Sequence, residues 1–162
     1  MDQNKLSELV IQKINSRGIK IQQIAELTHF LQSPYYPNLT LDSCVENVEA
    51  VLKKREVQNA VLTGIRLDEL AELGLLEGPL QEMVESDYSL YGIDEILAFS
   101  ILNVYGSIGF TNYGYIDKLK PGILGEIDAK GKKGEICQTF MDDLVGAIAA
   151  AAASRIAHNQ EK

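Results

Sequence analysis

The chain has 162 residues, with 15 lysines and arginines against 23 aspartates and glutamates, for a net charge of −8. That length suits one domain able to bury its own core, and the acidic balance excludes nonspecific nucleic-acid binding and a broadly basic face for anionic lipid, so an anionic substrate would need local cations. Cys44 and Cys137 are isolated, with no C-x-x-C spacing, so a reducing cytoplasmic setting is expected.

Helical spacing runs through the chain. Leu6, Leu9, Val10, Ile11 and Ile14 predict a first amphipathic helix, capped by Asp2 or Asn4 and stopped at Gly18. Met1 to Lys20 is charged and amphipathic, unlike a secretory leader. A second helix is predicted from Ile21 to Leu31, with Ile21, Ile24, Ala25, Leu27 and Phe30 inward, before Ser33-Pro34-Tyr35-Tyr36-Pro37-Asn38 breaks the chain. Thr40-Leu41-Asp42 restarts a helix with Leu41, Val45, Val48 and Leu52 on one stripe. Arg55 to Ile65 continues in register, with Gly64 as its expected end. Short helices are predicted at Leu67 to Leu73, closed by Gly74, and at Leu80 to Val84, opened by Pro79.

Ile96, Leu97, Phe99, Ile101, Leu102 and Val104 make the helix after Gly92 apolar nearly all round, which predicts that it is the central one. No residue from Ile96 to Ile116 is charged, but polar residues and glycines dilute the stretch, so no transmembrane span is expected. A buried helix running into a glycine-rich turn is predicted instead. The glycines between Gly106 and Tyr115 would let backbone N–H groups approach an anion, without forming a P-loop, since the G-K-[ST] ending is missing. Ala129 to Gly134 reads as a flexible surface loop. The last helix is predicted from Thr139 towards His158, with Thr139 and Asp142 resembling a capping box. Its alanines, Ala149 to Ala153, permit close helix approach within the domain or between subunits, and a homo-oligomer is expected.

With period-two alternation nearly absent, the expected fold is all-α, a single compact helical domain over residues 1–162 with a central apolar helix surrounded by amphipathic helices. Residues 1–39 form an N-terminal helical extension packed on a core spanning residues 40–160.

The chemistry-bearing residues are two acidic pairs, each opening an apolar helix: Asp94-Glu95 and Asp142-Asp143. One acid in a first turn offsets the helix dipole by about 0.3–1 kcal/mol. A second, beside a face that should be buried, adds desolvation and like-charge repulsion unless a cation is near. Between the pairs lies Ile116-Asp117-Lys118-Leu119-Lys120-Pro121-Gly122, where an acid and two lysines meet a turn. If Asp94, Glu95, Asp117, Asp142 and Asp143 converge, Mg²⁺ is the natural counter-ion and Lys118 or Lys120 would hold a phosphate. His29 and His158 are expected to lie outside this chemistry.

Asp94-Glu95, then Asp117-x-x-Lys120-Pro121, then Asp142-Asp143-Leu144-Val145-Gly146 resembles the phosphatidylglycerophosphatase A family, in its soluble branch named for the low-temperature requirement C protein. The resemblance covers roughly Arg55 to Ala157 and includes Lys54 to Gly64 and Tyr105 to Gly114. It implies a phosphatase-like core and Mg²⁺-dependent removal of the terminal phosphate of phosphatidylglycerophosphate, a lipid substrate met at the membrane surface by a cytoplasmic, peripheral protein. It also implies Asp94, Glu95, Asp142 and Asp143 as metal-site residues, with Asp117, Lys120 and Asp143 as catalytic residues. The membrane-embedded members differ in carrying hydrophobic spans and an early glycine-threonine motif, of which Thr63-Gly64 is a faint echo.

Two other classes fit parts of the sequence. A non-catalytic helical oligomer would use the acids as caps and the alanine face for subunit packing. An all-helical nucleotide pyrophosphohydrolase would use the i, i+3 acids Glu46 and Glu49, Glu69 and Glu72, and Glu82 and Glu85.

Overall fold

The computed structural model describes residues 3–160, and among these all regular structure is helical. Nine helices follow in order: α1 (Gln3–Ser16), α2 (Ile21–Gln32), α3 (Leu41–Leu52), α4 (Arg55–Glu72), α5 (Pro79–Glu85), α6 (Ile93–Leu102), α7 (Ser107–Leu119), α8 (Ile123–Lys132) and α9 (Met141–Gln160). Helix α1 begins at Gln3, so Asn4 lies inside its first turn, and Asp2 lies outside the described residues. Thr40 does cap α3, its hydroxyl accepting from the Ser43 N–H at 3.2 Å.

The helix at the centre is α9, which packs against α2, α3, α4, α6, α7 and α8. Leu144, Val145 and every residue from Ala147 to Ala153 are fully buried. Small side chains explain the position, because a helix lined by alanine lets neighbours on all sides approach while its own volume stays low. Where α2 crosses, the Thr28 hydroxyl bonds the Ala149 carbonyl at 3.2 Å; near the Tyr105 turn the Ser154 hydroxyl bonds the Tyr105 carbonyl at 2.9 Å. The alanine face is thus used inside the domain.

The expectation that the helix after Gly92 is central is corrected. Ala98, Ile101 and Leu102 of α6 are buried, but Ile93 and Ile96 face solvent, the latter 60% exposed. Its apolar circumference combines a core-facing side with an apolar outer side. Phe30, expected inward, is also exposed and stacks on Tyr115 with ring centroids 6.3 Å apart. Residues 107–119 form helix α7 rather than a glycine-rich turn, so their N–H groups are largely spent in helical bonds. Residues 129–132, expected in a loop, are the last turn of α8.

Gly64 does not end a helix. Helix α4 runs through it to Glu72, absorbing most of the short helix predicted after it. Gly64 sits where α4 meets the start of α9, and an added Cβ would lie 2.6 Å from Leu144 Cδ1 and 3.0 Å from Phe140 Cβ. Glycine is required there by close approach, not by a turn. Overpacking costs about 1–3 kcal/mol against a helix-propensity gain of about 1 kcal/mol, so Gly64→Ala should lower the urea midpoint of unfolding and Gly64→Leu should lower it further.

Candidate metal and phosphate site

The mouth of α9 is held from three sides. The carboxylate of Asp68, on α4, accepts the Phe140 N–H at 3.1 Å and the Met141 N–H at 3.0 Å. It satisfies donors that the start of a helix leaves unpaired. Thr139, expected to cap, instead donates its hydroxyl to the Val84 carbonyl of α5 at 2.6 Å. From the turn after α1, Arg17 grips Glu72 through two hydrogen bonds of 2.9 and 2.6 Å and donates to the Cys137 carbonyl, while Glu72 accepts the Cys137 N–H at 2.9 Å. Burial pushes the Asp68 carboxyl up to about 7, against the pull of the Phe140 N–H and Arg17. The same burial, with Asp68 beside it, pushes the Cys137 thiol up to about 12. Cys44 and Cys137 are free and buried.

On that anchored mouth stand Asp142 and Asp143, both buried. They meet Asp117, from the last turn of α7, and the three offer carboxylate oxygens that all lie within 4.8 Å of one another. An acid near a helix C-terminus opposes the dipole, so stability of α7 gives no reason for Asp117 to be there. Lys120 bridges the group, with its Nζ 2.7 Å from Asp117 Oδ1 and 2.7 Å from Asp142 Oδ2. Its backbone adopts the left-handed conformation, φ 47° and ψ 52°, which sets the turn out of α7. The Tyr113 hydroxyl, also on α7, donates to Asp143 Oδ1 at 2.6 Å. Helices α7 and α9 come close at Gly146, where an added Cβ would lie 3.4 Å from the Tyr113 ring.

Too much negative charge is gathered here to stay ionised unaided. Burial and the neighbouring charge of Asp142 push Asp143 well above the ordinary carboxylate value of 3.8, outweighing the Tyr113 hydrogen bond. Burial also raises Asp142, with Lys120 pulling the other way. Burial lowers Lys120, yet Asp142 and Asp117 raise it further, so it stays protonated. Burial and the charge of Asp143 raise Tyr113. Two more acids act on the group. Asp94, in the first turn of α6, is buried, raised by burial, and leaves its Oδ1 without a hydrogen-bond partner. Asp87, just after α5, is raised by partial desolvation and by Asp94, and it feels both Lys120 and Asp117.

The donor set fits a hard divalent cation. Asp117, Asp142 and Asp143 supply only oxygens; Asp94, whose Oδ1 has no hydrogen-bond partner, is felt electrostatically by Asp143 but is not one of the three gathered residues.

Of the residues singled out in the sequence, Asp117, Lys120, Asp142 and Asp143 are brought together, and Asp94 is electrostatically coupled to Asp143. Glu95 is exposed and stands outside the gathered group, because its neighbour Asp94 takes the inward face of α6. Lys118 is exposed as well, while Lys120 turns inward. His29 Nε2 lies 3.1 Å from the Leu39 carbonyl and His158 is exposed. The i, i+3 acids do not form a centre: Glu69 pairs with Lys13 and Arg66, Glu72 pairs with Arg17, and the others lie on exposed faces.

Sequence reasoning missed Asp68, Tyr113 and Asp87. Asp68 was detectable, since it falls on the apolar stripe of Val57, Val61, Ile65 and Ala71, where an acid needs partners. Tyr113 and Asp87 carry no such mark.

The chain is thus an all-helical domain whose central helix opens on a buried carboxylate cluster bridged by a lysine. The chain belongs to the phosphatidylglycerophosphatase A family, whose family model matches residues 10–158. Membership points to phosphatase-like chemistry. The fold is similar to the crystal structure of the low temperature requirement C protein from Listeria monocytogenes, with a TM-score of 0.94 and 58% identity over 99% of this chain and 100% of that one. It is also similar to the crystal structure of YpjQ from Bacillus subtilis, with a TM-score of 0.93 and 52% identity over 99% and 98% of the two chains. The uncharacterised protein YutG of Bacillus subtilis (strain 168) is 63% identical over 146 residues, 90% of this chain and 87% of its own length.

The role of Asp68 is testable apart from any activity. A buried N–H left without an acceptor costs about 1–3 kcal/mol, so Asp68→Ala should lose about 2–6 kcal/mol for the pair, and Asp68→Asn roughly half of that. In thermal unfolding each kcal/mol should appear as a fall of about 2–4 °C in Tm for a domain of this size.

Proposed function

We propose that this chain is a magnesium-dependent phosphatase that hydrolyses a lipid phosphomonoester, taking phosphatidylglycerophosphate to phosphatidylglycerol and inorganic phosphate at the cytoplasmic membrane surface. The observation that carries the reading is the gathering of Asp117, Asp142 and Asp143 oxygens within 4.8 Å, bridged by Lys120. Family membership supplies the reaction class. Among the described residues no helix is long and apolar enough to cross a membrane, so the substrate is met from outside the bilayer.

Asp117, Asp142 and Asp143 would hold Mg²⁺, with Asp94 as a further oxygen donor. When bound, the ion neutralises the crowded acids and polarises the phosphoryl oxygens. The protein's own groups do the rest. Lys120, freed from one of its two carboxylate partners, holds a phosphate oxygen as a point charge. Asp143, held by the Tyr113 hydroxyl, accepts a proton from water as the water oxygen bonds to phosphorus. The bond from phosphorus to the glycerol oxygen breaks, and that oxygen takes up a proton. That proton comes from solvent, while Asp117, ion-paired with Lys120, orients the lysine.

Phosphate release should be measured from phosphatidylglycerophosphate and from nucleoside triphosphates, with and without Mg²⁺. Turnover of the lipid only with Mg²⁺, and a loss on the order of 10²–10⁴-fold in Asp143→Asn, is expected. Pyrophosphate release from nucleotides would instead establish the pyrophosphohydrolase, and absence of any turnover or metal binding by folded protein would leave a non-catalytic module.

The acids also set a pH dependence. A carboxyl whose folded pKa lies above 3.8 keeps its proton after the unfolded chain has released it, so stability falls as pH rises from about 4 towards its folded value. Metal-free protein should therefore lose Tm as pH rises from acid towards neutral. Mg²⁺ should restore Tm most at the upper end of that range and release protons on binding, measured by calorimetry in buffers of different ionisation enthalpy.

A further inference from the structure

A cleft of about 450 Å³ lies between the end of α5, the last turns of α8 and the segment that leads into α9. Its lining is rich in acceptors. Glu85, Asp87 and Asp128 contribute carboxylates, and Lys132, which also lines it, is paired with Asp128 at 2.7 Å. Gln138 forms part of the wall, only 5% exposed, and its Oε1 has no hydrogen-bond partner. A buried amide oxygen without a donor is destabilising, so its retention calls for a reason. The neighbouring helix accommodates it. The Gln138 side chain lies across Gly131 so closely that a Cβ added there would run into Gln138 Cγ and stand 2.5 Å from Nε2. The last turn of α8 thus keeps bare backbone under the amide, where alanine would suit a helix better.

The cleft shares a wall with the acid site. The Gln138 carbonyl accepts the Asp142 N–H at 3.3 Å, which sets the two residues one helical turn, about 5 Å, apart along the chain axis. Asp87 lines the cleft and feels Lys120, Asp117 and Asp94 on one side and Asp128 on the other. A molecule whose phosphate reaches Lys120 therefore has the cleft next to it. The carboxylates there repel a second phosphate. Among the described residues, the acids gathered closely enough to share an ion are Asp117, Asp142 and Asp143, so those of the cleft are not drawn together as a cation site. An acceptor-rich wall of this kind favours a neutral donor, and an alcohol hydroxyl is one.

We propose that this cleft is the subsite for the alcohol half of the substrate, with Gln138 accepting a free hydroxyl of a polyol headgroup whose phosphoryl group is held at Lys120. The inference rests on the proposed lipid phosphatase and adds how a glycerol headgroup is told from other phosphomonoesters. The terminal torsion of glutamine is soft and two-fold, so the amide turns its oxygen to the hydroxyl without moving the backbone. Binding then gives Oε1 the donor it lacks. An alcohol without that hydroxyl leaves the amide unpaired, and the difference is the discrimination.

The test compares two soluble short-chain lipids that differ by a single hydroxyl: dihexanoyl phosphatidylglycerophosphate and its counterpart built on propane-1,3-diol. With Mg²⁺, wild type should favour the glycerol lipid on the order of tenfold in kcat/KM. Gln138→Met should abolish that preference by losing activity on the glycerol lipid alone, and its Tm should not fall, because the change removes an unpaired buried oxygen. Gly131→Ala, which displaces the amide without removing it, should lose the preference in the same way. A parallel loss on both lipids, or a preference that survives in Gln138→Met, would overturn the subsite. Calorimetric binding of the non-hydrolysable methylenephosphonate analogues of both lipids, with Mg²⁺ present, separates recognition from chemistry. A binding preference of about tenfold that Gln138→Met erases, with no phosphate released from either lipid, would keep the subsite and overturn the proposed phosphatase. Mg²⁺-dependent release with equal turnover and equal analogue binding for the two lipids would keep the phosphatase and overturn the subsite. Binding of neither analogue would overturn both.

Discussion

Like charges taken out of water repel, and a helical fold that buries Asp142 and Asp143 side by side must supply something to hold them there. In this protein the support is divided. Asp68 satisfies the Phe140 and Met141 N–H groups and Asp142 Oδ1 takes the Asp143 N–H at 2.9 Å, so Asp143 is not needed as a cap. Lys120 supplies positive charge and Tyr113 a hydrogen bond, each from α7 or the turn that ends it. What is left over is an excess of carboxylate oxygens within 4.8 Å of one another.

The anchoring depends on helix α9 being reached from many sides. Alanine makes this possible, because six other helices can approach an axis that carries little side-chain volume. Gly64 and Gly146 extend the same logic to the two contacts nearest the acids, where α4 and α7 come closest. The Arg17, Glu72 and Cys137 network then ties the approach to α9 to the turn that follows α1, so the site is braced by parts of the chain more than a hundred residues apart. Such bracing keeps carboxylates at fixed separations, which a cation site requires.

The α5 to α6 turn shows how one short segment serves two environments. Asp94 is buried while Tyr88, Leu90, Ile93 and Ile96 are exposed, and three residues at positive φ turn the chain between them. A smooth helix through the same residues would not turn the chain so sharply between inward acids and an outward tip. The backbone strain and the separation of surfaces are therefore aspects of the same local geometry.

Much was legible in the sequence. Helical periodicity is a local property, so the all-α class, most helix positions and the restart at Thr40-Leu41-Asp42 followed from spacing and punctuation alone. The ordered motifs also named residues that the fold gathers, namely Asp117, Lys120, Asp142 and Asp143. The tertiary structure decided what depends on distance through space. It placed α9 at the centre and α6 towards the edge, because side-chain volume in three dimensions, not hydropathy, selects the helix that others surround. It chose Asp94 over Glu95 for the inward face and gave the α9 cap to Asp68. Tyr113 and Asp87 joined the site only through the packing of their helices and turns, which no spacing along the chain expresses.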